Sequence, residues 1–202
     1  MGFISLDKAG LIGKGSSRFC YQHPSDRCKC IKIQKNPALN ITSEEVKHYR
    51  KFIRRGISWE MVARYHETVL TDQGPGAVFD MPRDFDGNVS RTLHHYLLSD
   101  ESNSRIAVIM ASALMDLKRY LLKQNIIIRE LKPENLVWCR AGECHGRFIL
   151  ADGIGNNQFI SVATYLKRFG RRVINRKWAT FERDLRELYS GSSFSGTLLL
   201  YL

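Results

Sequence analysis

The residue pattern changes character near residue 90, and this change constrains the fold more than any other feature of the sequence. Before it, short runs alternate apolar and polar residues, as in "CYQHP", "KCIKIQK" and "ETVLTDQGPGAVFDM". Such runs, separated by turn-forming residues, are typical of strands. After it, apolar residues recur at helical spacing in "SRIAVIMASALMDLKRYLLKQN". The sequence therefore predicts an α+β protein with a β-rich first half and a helical second half.

Several turns and one helix are predicted in more detail. "PSDR" is expected to close a hairpin, and the Gly-Pro-Gly at 74–76 to join two further strands. "TSEEVKHYRKFIRR" predicts a helix capped by Thr42 or Ser43, with glutamates in its first turn and arginines in its last. Two short apolar strands, "NLVWC" and "RFILAD", follow the long helix.

The two halves predict two lobes with a ligand cleft between them. We expect a β-rich N-lobe at 1–80, a connector at 81–90, a helical C-lobe at 91–190 and a C-terminal tail at 191–202. The apolar end of the tail packs either on the body or on a second copy.

The net charge and the hydropathy of the chain predict the kind of partner and the cellular location of the protein. The 202-residue chain carries a net charge of +11, which favours anionic partners such as nucleotides, nucleic acid or acidic surfaces. Basic residues concentrate at 47–55 and 167–177. A solvated helix face is the simpler interpretation of both, and nucleic-acid binding by the second is the alternative. With no apolar run of spanning length and no secretory signal, we expect a cytoplasmic protein without a membrane span.

The cysteines predict reduced thiols. They are odd in number and irregularly spaced, which does not suit a disulfide framework. A zinc site is a weaker alternative, because the two-residue knuckle spacing is missing. The five positions are Cys20, Cys28, Cys30, Cys139 and Cys144.

The second half of the sequence predicts a magnesium site. Asp152 ends an apolar strand and precedes Gly153 and Gly155, which allow close backbone approach to a ligand. Asn135 begins the preceding strand, and together the two side chains offer the oxygen ligands that Mg²⁺ prefers. Lys132 is placed to hold a terminal phosphate.

A phosphate-binding turn is a weaker prediction in the first half. Gly13 and Gly15 lie between two predicted strands, where backbone N–H groups can cover phosphates or simply form a hairpin turn. Lys32 lies inside the apolar strand "CIKIQ" and needs a partner if buried; Glu45 on the following helix is one. Solvent-facing side chains are the alternative for both.

The order of these elements resembles that of the protein kinase-like fold: glycine loop, strand lysine, helix glutamate, hinge, long helix, "LKPEN" and an aspartate-glycine turn. Over residues 8–185 the chain more narrowly resembles the YrbL family, small bacterial proteins named as part of the PhoP regulatory network. The matching segments are "GKGSSRFCYQHP", "CIKI", "EVKHY", "ARYHETVLTDQGPGAVFD", "LKRYLL" and "LADGIG".

The resemblance implies a small bilobal kinase-like fold that binds Mg-ATP. It places the ATP phosphates under Gly13 and Gly15 and on Lys32, which it pairs with Glu45. It also places Mg²⁺ on Asn135 and Asp152. The catalytic residues would be Glu130 and Lys132, acting on an unknown protein or small-molecule acceptor.

The sequence departs from the kinase pattern at three places. Glu130 stands where the catalytic aspartate is expected, Arg18 where the third loop glycine is expected, and Ile154 follows Gly153 in the aspartate turn. Because positioning dominates phosphoryl transfer, a displacement of ~1 Å costs ~100-fold in rate. Three hypotheses follow: a phosphotransferase, a pseudokinase acting as a regulatory binding module and, less favoured, a nucleic-acid-binding protein.

Overall fold

The computed structural model describes residues 2–36, 38–39, 41–99, 104–155, 167–189 and 191–202. Within them the chain is a mixed α+β protein with a six-stranded sheet, a three-stranded sheet and five helices. The chain divides into two compact units. Unit 1 comprises Met1–Trp59 and Ala63–Pro82, and unit 2 comprises Glu60–Val62 and Arg83–Leu202.

The six-stranded sheet belongs to unit 1. Its strands are β1 (Phe3–Ile4), β2 (Leu11–Lys14), β3 (Arg18–His23), β4 (Asp26–Gln34), β5 (Tyr65–Thr71) and β6 (Gly74–Asp80). Their spatial order is β1-β5-β6-β4-β3-β2, with β1 parallel to β5 and every other pair antiparallel. Ile31 and Ile33 on the central strand lie among the buried residues, with Val69 and Val78 on its neighbours.

The hairpin closed by "PSDR" is confirmed as β3–β4, whereas the prediction of a turn at Gly-Pro-Gly was wrong. The chain turns at Asp72 and Gln73, where Thr71 Oγ1 accepts from the Gln73 N–H at 3.2 Å and donates to Gly74 O at 2.6 Å. The glycines instead begin β6. A Cβ at Gly76 would lie 2.7 Å from Ile31 Cγ2, so packing against β4 requires glycine there.

Helix α1 (Ile41–Arg55) begins one residue before the predicted caps. Thr42 and Ser43 therefore lie in its first turn, and the cap prediction was wrong. Gln34 supplies a terminal hydrogen bond instead, because its Oε1 accepts from the Thr42 N–H at 3.1 Å. The buried face of α1 includes Tyr49, whose ring lies 5.1 Å from that of Phe79 on β6.

Unit 2 contains the remaining elements. Strands β7 (Arg91–Thr92), β8 (Leu136–Arg140) and β9 (Gly146–Leu150) form an antiparallel sheet in that order. The predicted strands "NLVWC" and "RFILAD" correspond to β8 and β9. The helices are α2 (Leu93–Leu98), α3 (Ser104–Gln124), α4 (Lys167–Tyr189) and α5 (Ser193–Leu200), with a 3₁₀ turn at Pro133–Asn135.

The long amphipathic helix is confirmed as α3, which buries a continuous stripe that includes Met110, Leu114, Leu117 and Leu121. The apolar end of the tail forms α5, which packs against α3 of its own chain and buries Phe194 and Leu198. Across the described ranges, no helix combines the length and apolarity needed to cross a membrane.

Candidate functional site

Two segments of unit 2 lie against each other and carry four of the predicted site residues. The Glu130 loop (residues 129–135) connects α3 to β8, and the Asp152 turn (residues 151–155) follows β9. The carbonyl oxygen of Gly153 accepts from the backbone N–H groups of Arg129, at 2.8 Å, and Glu130, at 3.2 Å. Ile128 and Ile154 also form an antiparallel bridge. The two segments are therefore joined through backbone hydrogen bonds.

Gly153 makes this close approach possible. Its φ is +81°, a conformation that side chains with a Cβ rarely adopt. A Cβ at this position would lie 2.1 Å from Glu130 O and 2.8 Å from Asn135 Nδ2. The aspartate-glycine pair noted in the sequence is thus required by the packing of the two segments.

Asn135 and Asp152 offer oxygen atoms suited to a hard cation. Asn135 ends the 3₁₀ turn, and its Nδ2 donates to Glu130 O at 3.2 Å, so the amide oxygen is the atom left for a ligand. Asp152 lies two residues beyond β9 and is half-buried; its Oδ1 accepts from the Gly153 N–H at 2.6 Å. The Asn135 carbonyl also accepts from the Ala151 N–H at 2.9 Å. One carboxylate and one amide oxygen fit Mg²⁺ bound together with phosphate oxygens.

Glu130 and Lys132 form an ion pair on the same loop. Lys132 Nζ lies 2.7 Å from Glu130 Oε1, and both side chains are about half exposed, at 55% and 51%. The hydrogen bond to Glu130 raises the pKa of Lys132. Because solvent screens this pair, either side chain can exchange its partner for a ligand at small cost.

Lys32 is buried on the central strand of unit 1. Only 7% of it is exposed, and it lies opposite Cys20 on β3 and Ala77 on β6. Its Nζ lies 4.7 Å from the centroid of the Phe79 ring, a cation–π distance. The solvent-facing alternative for Lys32 is therefore wrong.

Glu45 is also buried, with 2% of it exposed, and its Oε2 accepts from Arg18 Nη1 on β3. The alternative of a solvated Glu45 is therefore wrong as well. Among the described residues, Glu45 Oε1 has no hydrogen-bond partner. The pairing of Lys32 with Glu45 stays a prediction. Sequence reasoning missed the ion pair with Arg18, which had been noted only for replacing a glycine.

The glycine turn of unit 1 is a hairpin between β2 and β3. Gly13 lies in β2, and Gly15 begins the turn, where its N–H donates to Arg18 O at 2.9 Å. Lys35 Nζ donates to the carbonyl oxygens of Gly15 and Ser16. A Cβ at Gly13 would meet no atom within 4 Å, so local packing does not require that glycine.

The basic segment at 167–177 forms the first half of α4, as its helical spacing predicted. Acidic side chains occur only in the second half of this helix, so no carboxylate from α4 lies among the first-half arginines. Nucleic-acid binding by this face stays a prediction. The exposed arginines are Arg168, Arg171, Arg172 and Arg176.

The five cysteines, all within the described residues, are free thiols. A hydrogen bond to Cys20, together with burial, raises the pKa of Cys30 well above its usual value. In the part of the chain that the structure describes, no three or more histidine, cysteine and acidic side chains cluster as metal ligands do.

Comparison with known proteins agrees with the resemblance to the YrbL family. The family model described as "PhoP regulatory network protein YrbL" matches residues 4–186. The chain belongs to the YrbL family. It is 36% identical to the uncharacterized protein YrbL of Escherichia coli (strain K12) over 181 residues, which cover 88% of this chain and 86% of that protein. The uncharacterized protein YrbL of Shigella flexneri matches with the same identity and coverage. The YrbL match includes both segments of unit 2 that meet at Gly153.

Proposed function

We propose that this YrbL-family protein has a kinase-like fold and binds Mg-ATP, and that it transfers a phosphoryl group to a small-molecule or protein acceptor. The observation that carries the proposal is the backbone junction at Gly153. This junction brings Glu130, Lys132, Asn135 and Asp152 onto two adjoining segments. Phosphoryl transfer depends mainly on holding the reacting groups in position and on stabilising the charge of the phosphate. A cluster that carries both acidic and basic side chains on segments joined by backbone hydrogen bonds suits these two requirements.

Each residue of the cluster has a proposed role. The oxygens of Asn135 and Asp152 would hold Mg²⁺, and Lys132 would contact a terminal phosphate. Glu130 would orient the acceptor hydroxyl and accept its proton. Bound Mg-ATP would supply the phosphoryl group. The roles of Gly13, Gly15, Lys32 and Glu45 follow from the resemblance alone and remain predictions.

A pseudokinase is the second candidate function, and the Glu130–Lys132 ion pair favours it. In this pair the two proposed catalytic groups neutralise each other, while the oxygens of Asn135 and Asp152 stay in place. A protein of this kind binds nucleotide as a regulatory module and transfers no phosphate. The two candidates therefore differ in turnover and agree in nucleotide binding.

Thermal unfolding with and without Mg-ATP tests the binding site. A ligand at ~100 times its dissociation constant adds ~2.7 kcal/mol of stability, which raises the Tm measurably. We expect this shift in the wild type and its loss in Asp152→Asn, which keeps the shape of the side chain and removes its charge. Asp116→Asn is the matched control, because Asp116 is an exposed α3 carboxylate paired with Arg119.

Turnover then separates the two candidates. In a phosphotransferase, Glu130→Gln should lower ATP turnover by ~100-fold or more while keeping the Tm shift. In a pseudokinase, the wild type should show the Tm shift without turnover. Absence of a shift at millimolar Mg-ATP, or an equal shift in Asp152→Asn, would reject the nucleotide site.

A further inference from the structure

Unit 2 contains a polar cavity of ≈ 450 Å³ whose lining shares no residue with the Glu130 loop or the Asp152 turn. It is lined by the loop residues Asp84, Asn88 and Val89, by Arg91 on β7, by His95 and Tyr96 on α2, and by Arg140 at the end of β8. Its volume is within the range of small-molecule sites.

A buried carboxylate fixes one of the two arginines. Asp84 is 7% exposed, and its Oδ2 accepts from Arg140 Nε at 2.6 Å. Its Oδ1 accepts from Ser90 Oγ at 2.6 Å and from the Arg140 backbone N–H at 3.0 Å. Asp86 accepts from Arg140 Nη2 at 2.5 Å. Both oxygens of Asp84 are thus engaged, so Asp84 orients Arg140.

The cavity retains hydrogen-bond donors after these contacts. Arg91 Nη1 contacts His95 Nε2, and Arg140 uses Nε and Nη2. Among the described residues, Arg140 Nη1 and Arg91 Nη2 have no hydrogen-bond partner. The Arg140 guanidinium also lies 5.3 Å from the Phe85 ring centroid, which further restricts its position. The ion pair with Asp84 raises the pKa of Arg140, so the group remains charged.

Two guanidinium groups with unused N–H donors favour an oxyanion over a neutral or cationic ligand. We infer that this cavity binds the oxyanion group of a small phosphate or carboxylate compound, held by Arg91 and Arg140. The site is separate from the proposed nucleotide site and does not depend on the proposed function.

The test is isothermal titration calorimetry with inorganic phosphate and, separately, acetate, at an ionic strength held constant with sodium chloride. Saturable binding of either probe is expected, and the tighter one identifies the ligand as phosphate or carboxylate. Arg91 is exposed and holds no buried partner, so Arg91→Gln should fold normally. Loss of its charge-assisted hydrogen bond should weaken binding about tenfold.

Two control variants make the result specific. Arg147→Gln removes the same charge from an exposed position on β9 that does not line the cavity, and it should bind the probe as the wild type does. Lys132→Gln alters the proposed nucleotide site, so any part of the phosphate signal that this variant removes is assigned to that site and not to the cavity. Equal affinity in wild type and Arg91→Gln, an equal loss in Arg147→Gln, or no saturable binding of either probe would overturn the inference. A loss of phosphate binding in Lys132→Gln but not in Arg91→Gln would also overturn the inference, and it would support a phosphate contact at the nucleotide site.

Discussion

Three charged residues of unit 1 are buried, whereas the Glu130–Lys132 pair of unit 2 is exposed. In unit 1, Arg18, Lys32 and Glu45 are each less than 10% exposed, within the sheet and beneath α1. In unit 2, Glu130 and Lys132 are about half exposed on a loop held by backbone hydrogen bonds. Buried charges lose hydration and depend on one another, whereas exposed charges are screened by solvent. We therefore expect unit 1 substitutions to act on stability and unit 2 side-chain substitutions to act on ligand binding.

The largest effect is expected from Glu45→Gln. It removes the carboxylate that neutralises buried Arg18, and breaking a buried pair from one side costs ~3–5 kcal/mol of unfolding free energy. Urea unfolding followed by circular dichroism measures this loss. Glu44→Gln is the matched control: Glu44 is exposed on the same helix and pairs with Lys47, so its change should stay below ~0.5 kcal/mol.

A double variant sharpens this test. Replacing both members of the pair by apolar residues, as in Arg18→Met with Glu45→Leu, removes both charges from the interior. Such replacements of buried pairs are often neutral or stabilising, so much of the lost stability should return. Similar losses in Glu44→Gln and Glu45→Gln would contradict the contrast between the units.

Gly153→Ala should have the next largest effect on stability, and it should act through the backbone of unit 2. A Cβ there would lie 2.1 Å from Glu130 O at a φ of +81°, so the two segments must separate. We expect a loss of ~3 kcal/mol in unfolding free energy, from the steric clash and the left-handed conformation together. Gly56→Ala is the control, because Gly56 has a φ of +59° with open space around it. That variant should lose only ~1–2 kcal/mol of unfolding free energy. Equal losses in Gly153→Ala and Gly56→Ala would mean that the steric contact with Glu130 does not add to the loss.

The sequence predicted the elements well because strong local signals mark them. The alternation of apolar and polar residues predicted the β3–β4 hairpin, and apolar residues at helical spacing predicted α3 and the start of α4. Asp152 and Asn135 were predicted from short polar insertions beside apolar strands, and the structure brings their segments together. These features depend on residues close in the chain, which is why a single sequence suffices.

Features that depend on distant residues were missed. Gly74–Gly76 forms the start of β6 instead of a turn, because β4 packs against Gly76. The partner of Glu45 is Arg18, 27 positions earlier in the chain, and no local pattern identifies it. The Asp84–Arg140 pair spans 56 positions and joins a loop to the end of a strand. Such pairs are set by strand register and helix packing, which the sequence pattern does not show.

The smallest effect on stability is expected from Glu130→Gln. Exposed pairs contribute ~0–1 kcal/mol, so the unfolding free energy should change by less than ~0.5 kcal/mol. The pair raises the pKa of Lys132 in the folded state, so its small contribution is fully present below the unfolded pKa of ~10.4. The contribution is lost as pH rises through the folded pKa.

Urea unfolding at pH 8 and pH 11 checks this sign. The difference between wild type and Glu130→Gln should shrink at pH 11, because that pH lies above the unfolded pKa of Lys132. A loss of ~2 kcal/mol or more at pH 8 would mean that Glu130 supports the fold in the way that Glu45 does. The contrast between buried and exposed charges would then fail at the residue proposed to act on the acceptor.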